Sequence, residues 1–437
     1  MNTSPLSPAA SSSSTSTEKP LGLWSATALV VGSMIGSGVF LLPSALAPYG
    51  GVSLIGWAIT LGGALALSLV FAKLAMRWPH TGGPYVFAHK AFGELPGFLV
   101  AWSYWISTWC ANAAIAVAFA GSLGAIFPEL TATPLRAGTC ALAALWVCAG
   151  INLIGMREAG RLQLLLTVLK FVPLVLFAGI AIWYFDAKHF TPFNPSGESL
   201  PSAINASVAL ALWALIGLEA ATVPAGAIHD AERTIPRATV LGTLLAGIAT
   251  VVAVTAVLGV VPMEQLKTSS APMIDAARLL WGNAAGLGVA IAATISCLGA
   301  LNGWVLISAQ IPYAAASDRL MPAAFAKRNR GGTPVFGILI SSLLTTVLVL
   351  SNFSRSLVSL FTFSVLLSAA ATLLPYFAGS AAWLLRGRGL SRVAAFFALL
   401  YSGYALIGTG HEALLWGGVL LLAGLPIYAW MRRTRPQ

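Results

Sequence analysis

The sequence predicts an all-α integral membrane protein of about twelve transmembrane helices. The first ten form a five-plus-five inverted repeat in which helices one and six are broken, and the last two are peripheral. Three observations carry this expectation. Of 437 residues, 58% are hydrophobic and only 8% charged, with a mean hydropathy of +0.85; such a chain lacks the polar surface to coat a water-soluble globule and takes lipid as its solvent. Apolar runs near the ~20 residues needed to cross a bilayer recur from Leu23 to the C-terminus, joined by short polar links. Two of those runs are interrupted by glycine at similar depth, at Ile35-Gly36-Ser37-Gly38 and at Ile216-Gly217-Leu218-Glu219. The interruptions lie five spans apart, and an odd number of spans per half forces the second half to be inverted relative to the first.

In chain order, residues 1–20 are rich in Ser, Thr, Pro and Ala; they cannot bury enough apolar surface to order themselves and read as a disordered cytoplasmic tail. The tail lacks the basic start, apolar core and cleavage site of a secretory signal. Residues 21–437 read as one polytopic domain, with a first repeat over 21–185, a second over 203–386 and two peripheral helices over 392–431. The first repeat contains spans at 23–48, with the first break; at 52–76; at 94–126, bearing Tyr104, Ser107, Thr108, Asn112 and Ile115; at 136–155; and at 160–184, bearing Lys170. The second contains 203–228, with Trp213, the second break and Glu219; 236–261; 285–315, with Trp304; 335–352; and 357–385, with Ser368 and Tyr376. Spans at 392–409 and 412–431 complete the twelve. With the N-terminus in the cytoplasm, 18 Lys and Arg fall on the inner side and five on the outer, with Lys170 inside a span; that bias fixes a multi-pass orientation with both termini cytoplasmic.

A break in a membrane helix frees backbone N–H and C=O groups that lipid cannot satisfy but a polar ligand can. Gly36 and Gly38 permit the unwinding and Ser37 adds a hydroxyl. The half-helix that starts beyond the break favours a carboxylate, and the carbonyls ahead of it suit an ammonium. An α-amino acid carries both. The competing explanation, that Gly-x-Gly only lets two helices approach closely, loses weight because the second break matches the first.

Of the 13 acidic residues, Glu219 alone lies deep in an apolar span, where an unpaired charge costs at least about 2.5 kcal/mol. It reads as a functional group that holds a proton while buried and releases it when the cavity opens to water, against the alternative of a permanently protonated carboxyl bonded to a neighbouring helix. Lys170 follows Arg161 by nine residues, about 13 Å further into the hydrocarbon core. It reads as a tie to the broken first helix in place of a bound cation, or as a proton exchanger, against snorkelling back to the headgroups. Trp213 and Trp304 sit inside spans rather than in the interfacial belts where Trp is common. Either can close over a ligand and stack on a guanidinium or ammonium, plain packing being the alternative. Asn112, Ser107, Thr108 and Ser368 are polar candidates that interhelical hydrogen bonding explains equally well.

Other classes fit less well. The formal charge of +11 comes from small groups of Lys and Arg between spans, not from a basic stripe with interleaved aromatics, so nucleic acid is not an expected partner. Cys110, Cys140, Cys148 and Cys297 lie in apolar spans without a Cys-x-x-Cys pair, so neither a disulfide framework nor a metal site is expected. His80, His89, His189, His229 and His411 fall in loops or at span ends, which argues against a membrane-embedded hydrolase. No cofactor is expected, and the chain does not read as an enzyme.

Gly36-Ser37-Gly38-Val39-Phe40-Leu41-Leu42-Pro43, and Pro79 with Gly82-Gly83-Pro84-Tyr85 through Phe92-Gly93, resemble the first-helix and second-loop motifs of the amino acid–polyamine–organocation superfamily. The likeness covers nearly the whole chain after residue 20 and is greatest to the bacterial basic amino acid and polyamine antiporters, those exchanging arginine for agmatine above all. Trp213 to Glu219, Leu298-Gly299 to Trp304, and Gly332-Thr333-Pro334-Val335 add to it. The resemblance implies a LeuT-like fold in the bacterial inner membrane and exchange of an amino acid for its decarboxylated amine. It further implies that Ser37 and Gly38 hold the substrate carboxylate and amine, that Ile35 is a further substrate-binding residue, that Trp304 stacks on the side chain and that Trp213 gates. Asn112, Ser107, Thr108, Ile115, Ile216 and Ser368 would line the pocket, Glu219 would be the proton-linked gate, and Tyr104 and Tyr376 would close toward the outside or the inside. Ser107-Thr108, Ile115 and Asp230-Ala231 depart from the family pattern, and Lys170 resembles the fifth-helix lysine of proton-dependent and exchange-type amino acid transporters instead. Proton-coupled or exchange transport of a neutral amino acid is therefore the alternative, and a non-cycling channel or sensor with the same fold a further one. A homodimer is one of the oligomeric states left open.

Overall fold

The computed structural model describes residues 22–36, 38–78, 82–154, 170–222, 228–352 and 354–434. The N-terminal tail, Ser37, Pro79 and Arg161-Leu162-Gln163 lie outside the described residues. Within them the regular elements are helices: α1 (Leu23–Met34), α2 (Gly38–Leu46), α3 (Val52–Arg77), α4 (Pro84–Phe92), α5 (Glu94–Gly124) and α6 (Pro134–Ile154); α7 (Lys170–Tyr184); and α8 (Leu200–Trp213), α9 (Ala231–Val260), α10 (Met263–Leu266), α11 (Pro272–Trp281), α12 (Asn283–Ser317), α13 (Val335–Ser351), α14 (Leu357–Arg386), α15 (Leu390–Gly408), α16 (Gly410–Leu422) and α17 (Gly424–Thr434).

Among the described residues, eight helical segments are long and apolar enough to cross a bilayer, with α16 and α17 forming one of them. The pair α1 and α2 makes a further span bent by 41°, and α7, α8 and α13 are shorter apolar helices. In order, these occupy the twelve spans read from the sequence. Three details differ. The link after α3 folds into α4, and that after α9 into the short helices α10 and α11; α11 begins with Pro272 in its first turn, where a missing N–H costs nothing. The helix of the sixth span stops at Trp213 instead of continuing toward residue 228.

The core is built on α5, which packs most extensively against α12 and α14. Its run Cys110-Ala111-Asn112-Ala113-Ala114 presents small side chains that let neighbouring backbones approach. In its most apolar stretch 89% of α5 is buried, against 6% for the α16–α17 span, which makes the latter peripheral.

Among the helices with an internal proline are the two that pack most extensively against α5, α12 with Pro312 and α14 with Pro375. Each removes the N–H that would bond the carbonyl four residues earlier. A serine of an adjacent helix supplies the missing donor in both cases: Ser341 Oγ of α13 donates to the Ser308 carbonyl at 3.2 Å, and Ser103 Oγ of α5 donates to the Ala371 carbonyl at 2.6 Å. These are the substitutions of side-chain for backbone donors that a lipid-surrounded helix requires.

Candidate functional site

The first break is built by a change of backbone conformation at Ile35, which is fully buried and extended (φ −80°, ψ 95°) while its N–H still bonds the Val31 carbonyl at 2.9 Å. Helix resumes at Gly38. A Cβ on Gly38 would lie 2.8 Å from Cζ3 of Trp213, so the indole rests on the glycine itself. In the sixth span, α8 ends at Trp213 and the chain continues as tight turns, with Leu215 N–H bonding the Leu212 carbonyl at 2.8 Å and Thr222 N–H bonding the Glu219 carbonyl at 2.8 Å. Gly217 adopts φ +107° there, a conformation closed to most side chains, and a Cβ on it would meet the Cβ of Ser33 at 3.0 Å. Each break is thus seated against the other.

Between them lies a small cavity lined by Gly36, Gly38, Ile115, Trp213, Ile216 and Trp304, with Ser33, Met34, Ala111 and Ala214. Its volume of about 20 Å³ is room for about one water, so the site is closed in this conformation. The last four residues were missed in the sequence. Ala111 was accessible to reasoning, since it precedes Ile115 by four positions and shares its helix face; the others depend on how the two breaks pack.

The remaining polar candidates divide. Ser107 and Thr108 hydroxyls each donate to a carbonyl of their own helix, Tyr104 and Trp105, at 2.7 Å, and Ser368 donates across to the Ser107 carbonyl at 2.8 Å. They tie α5 to itself and to α14. Asn112, next to Ala111, is 1% exposed, and among the described residues neither its Oδ1 nor its Nδ2 has a hydrogen-bond partner. An amide buried in this way costs about 1–3 kcal/mol until something bonds it.

Glu219 is fully buried and receives two tyrosines: Tyr104 of α5 donates to Oε1, and Tyr376 of α14 donates to Oε2 at 2.7 Å. Tyr376 is itself fully buried and packs edge-on against Phe71 of α3, with ring centroids 5.5 Å apart. Tyr104 precedes Ala111 toward the start of α5, and Tyr376 follows Ser368 toward the end of α14. The three residues therefore lie toward the end of the bundle where α5 begins and α14 ends. On the opposite side Trp213 meets Phe361 of α14 edge-on, at 5.5 Å between centroids and 85° between planes.

Lys170, 1% exposed, donates from Nζ to the Gly32 carbonyl in the last turn of α1, with Cys297 of α12 beside it. Its ammonium is directed to the broken helix and not back along α7 to a membrane surface. Asp230 takes a left-handed conformation (φ 46°) immediately before α9, a conformation that Asp and Asn tolerate better than most residues. Among the described residues no His, Cys, Asp and Glu group suited to a metal is present.

Residues 21–410 match the family model described as amino acid permease. Among curated proteins, the chain is 34% identical over 339 residues to a cadaverine/lysine antiporter of Escherichia coli, covering 77% of this chain and 75% of that protein. It is 30% identical over 421 residues to the putrescine transporter PotE of the same organism (93% and 95% covered). It is 31% identical over 389 residues to a putative arginine/ornithine antiporter of Bacillus subtilis (82% of each). Among solved structures, Mhp1, a nucleobase–cation–symport-1 family transporter in a closed conformation with bromovinylhydantoin bound, superposes with a TM-score of 0.57 at 15% identity, covering 95% of this chain and 94% of that one.

Proposed function

Because this chain belongs to the amino acid permease family, a family of membrane transporters, we propose that it exchanges a cationic amino acid for its decarboxylated amine across the bacterial inner membrane by alternating access. Arginine for agmatine is the narrower form of this reading; lysine for cadaverine is a pair of the same chemistry named by one relative, and putrescine, arginine and ornithine are named by others. The observation that carries it is the pair of mutually seated breaks around one closed cavity, with indoles at its edge and an unpartnered amide beside it. The carboxylate and α-amine meet the freed groups at the first break, Trp304 stacks on the side chain, and Asn112 bonds its polar end. The positive-inside bias supports an orientation with α5's start and α14's end toward the cytoplasm, in which Glu219 with its two tyrosines is the inner closure and Trp213 with Phe361 the outer one. Protons enter through Glu219.

A second reading, transport of a neutral amino acid, is favoured by one feature: Glu219 is already engaged by two tyrosines, and among the described residues no other carboxylate lines the cavity. Uptake of radiolabelled arginine, lysine, ornithine and leucine into proteoliposomes preloaded with agmatine, cadaverine, putrescine or nothing separates the two. Uptake of a cationic amino acid that requires an internal amine establishes exchange; uptake of leucine alone moves the function to the second reading.

A further inference from the structure

Above the outer closure lies a second and much larger space, about 620 Å³, walled by the end of the first span, the start of α8, the start of α14 and the turn between α15 and α16. It is open while the central cavity holds about 20 Å³, so a solute can occupy it before the gate moves. Trp213 lies one turn beyond the wall residue Leu210, and Phe361 is flanked in sequence by the wall residues Val358 and Thr362, so the Trp213–Phe361 contact adjoins this space.

The charges also differ from those of the central cavity. Glu198 and Glu412 bring carboxylates, and Lys267, Arg355 and His411 stand on the same walls. The anions are held loosely. Glu198 accepts a hydrogen bond from Ser202 at 2.6 Å, and Glu412 pairs with Arg355 at 2.6 Å with both side chains a third or more exposed, a pair worth at most about 1 kcal/mol and open to exchange. Lys267 is occupied by Glu264 at 2.8 Å, away from either wall glutamate. Arg355 has a second hold, its guanidinium 4.8 Å above the Phe363 ring, so it keeps its place when Glu412 changes partner.

We infer that this vestibule is a separate binding site for primary ammonium compounds, which it holds ahead of the gate. Glu198 and Glu412 take the two ammonium groups of a diamine. For a cationic amino acid, one glutamate takes the side-chain ammonium, the other the α-ammonium, and Arg355, freed from Glu412, takes the α-carboxylate. Selection for positive charge then happens where carboxylates are available, and the central cavity need not supply one. This rests on the exchange reading for the identity of the substrates but not for the existence of the site.

The test measures uptake of radiolabelled lysine and putrescine into right-side-out membrane vesicles by the full-length protein and by Glu198→Gln, Glu412→Gln and the double variant. Glu129→Gln, which removes an acid exposed outside the vestibule, is the control for surface charge. The expected result is a KM raised about fivefold by each single change and further by the two together, with the loss carried by KM and not by kcat, and none of it in the control. A second arm measures equilibrium binding of putrescine to purified Trp304→Leu, in which the central site is impaired; binding should persist and be lost when both glutamates are changed. A double variant with the KM of the control, or residual binding indifferent to both glutamates, overturns the vestibule site. If the unmodified protein moves none of the cationic substrates, the exchange reading falls. The binding arm then decides alone: glutamate-dependent binding sustains the site, and no binding removes it.

Discussion

Glu219 shows at the level of single atoms how a closure can depend on a proton. Both of its oxygens accept a hydrogen bond, one from Tyr104 and one from Tyr376, an arrangement that suits the ionised carboxylate, which only accepts. When the carboxyl gains a proton, one oxygen becomes a donor and the tyrosine facing it must turn its hydroxyl away. Glutamine in that place has a fixed donor and a fixed acceptor at every pH. Glu219→Gln is accordingly expected to flatten the pH dependence of exchange, measured as initial rates over a range of external pH; a profile parallel to that of the unmodified protein would remove Glu219 from the gate. The lone deep acid was legible in the sequence because its burial is costly without a purpose. The fate of Ser107, Thr108 and Ser368 was not, because a hydroxyl in a helix can turn to a main-chain carbonyl as easily as to a ligand, and only the structure shows that these three do so.

Among elements, the spans and their breaks were legible because a bilayer sets one length for every crossing and because glycine in mid-membrane is conspicuous. The short helices α4, α10 and α11 were not, since a link of ten or so residues with mixed polarity has the same composition whether or not it coils. Neither were the serines that serve the proline-interrupted helices, because Ser103 and the Ala371 carbonyl it bonds are 268 residues apart. Ser103→Ala is expected to leave that buried carbonyl without a donor and to lower stability by about 1–3 kcal/mol. Adding Pro375→Ala should recover most of the loss, because residue 375 regains an N–H for the same carbonyl. Thermal unfolding of the single and double variants in detergent checks this, and an undiminished loss in the double variant would mean that Ser103 matters for some other reason.

For the whole molecule, the distribution of Lys and Arg, 18 against five, supports the proposed orientation of the closed cavity between the two sides of the membrane. The expected orientation is checked with single cysteines at Lys188 and Arg433 in a protein whose four native cysteines are replaced: a membrane-impermeant thiol reagent added to intact cells should label position 188 and spare position 433, and the reverse would invert the assignment of inner and outer closures. The packing of the whole also constrains how such a chain can change over generations. A proline and the serine that serves its orphaned carbonyl are one unit divided between two distant stretches of sequence, and the unit can be dismantled in only one order at low cost. Losing Pro375 first restores the helix's own bond and merely makes Ser103 redundant, whereas losing Ser103 first strands a carbonyl in the core. The same asymmetry applies to Ser341 and Pro312, so each pair acts as a ratchet in which the serine stays fixed for as long as the proline does.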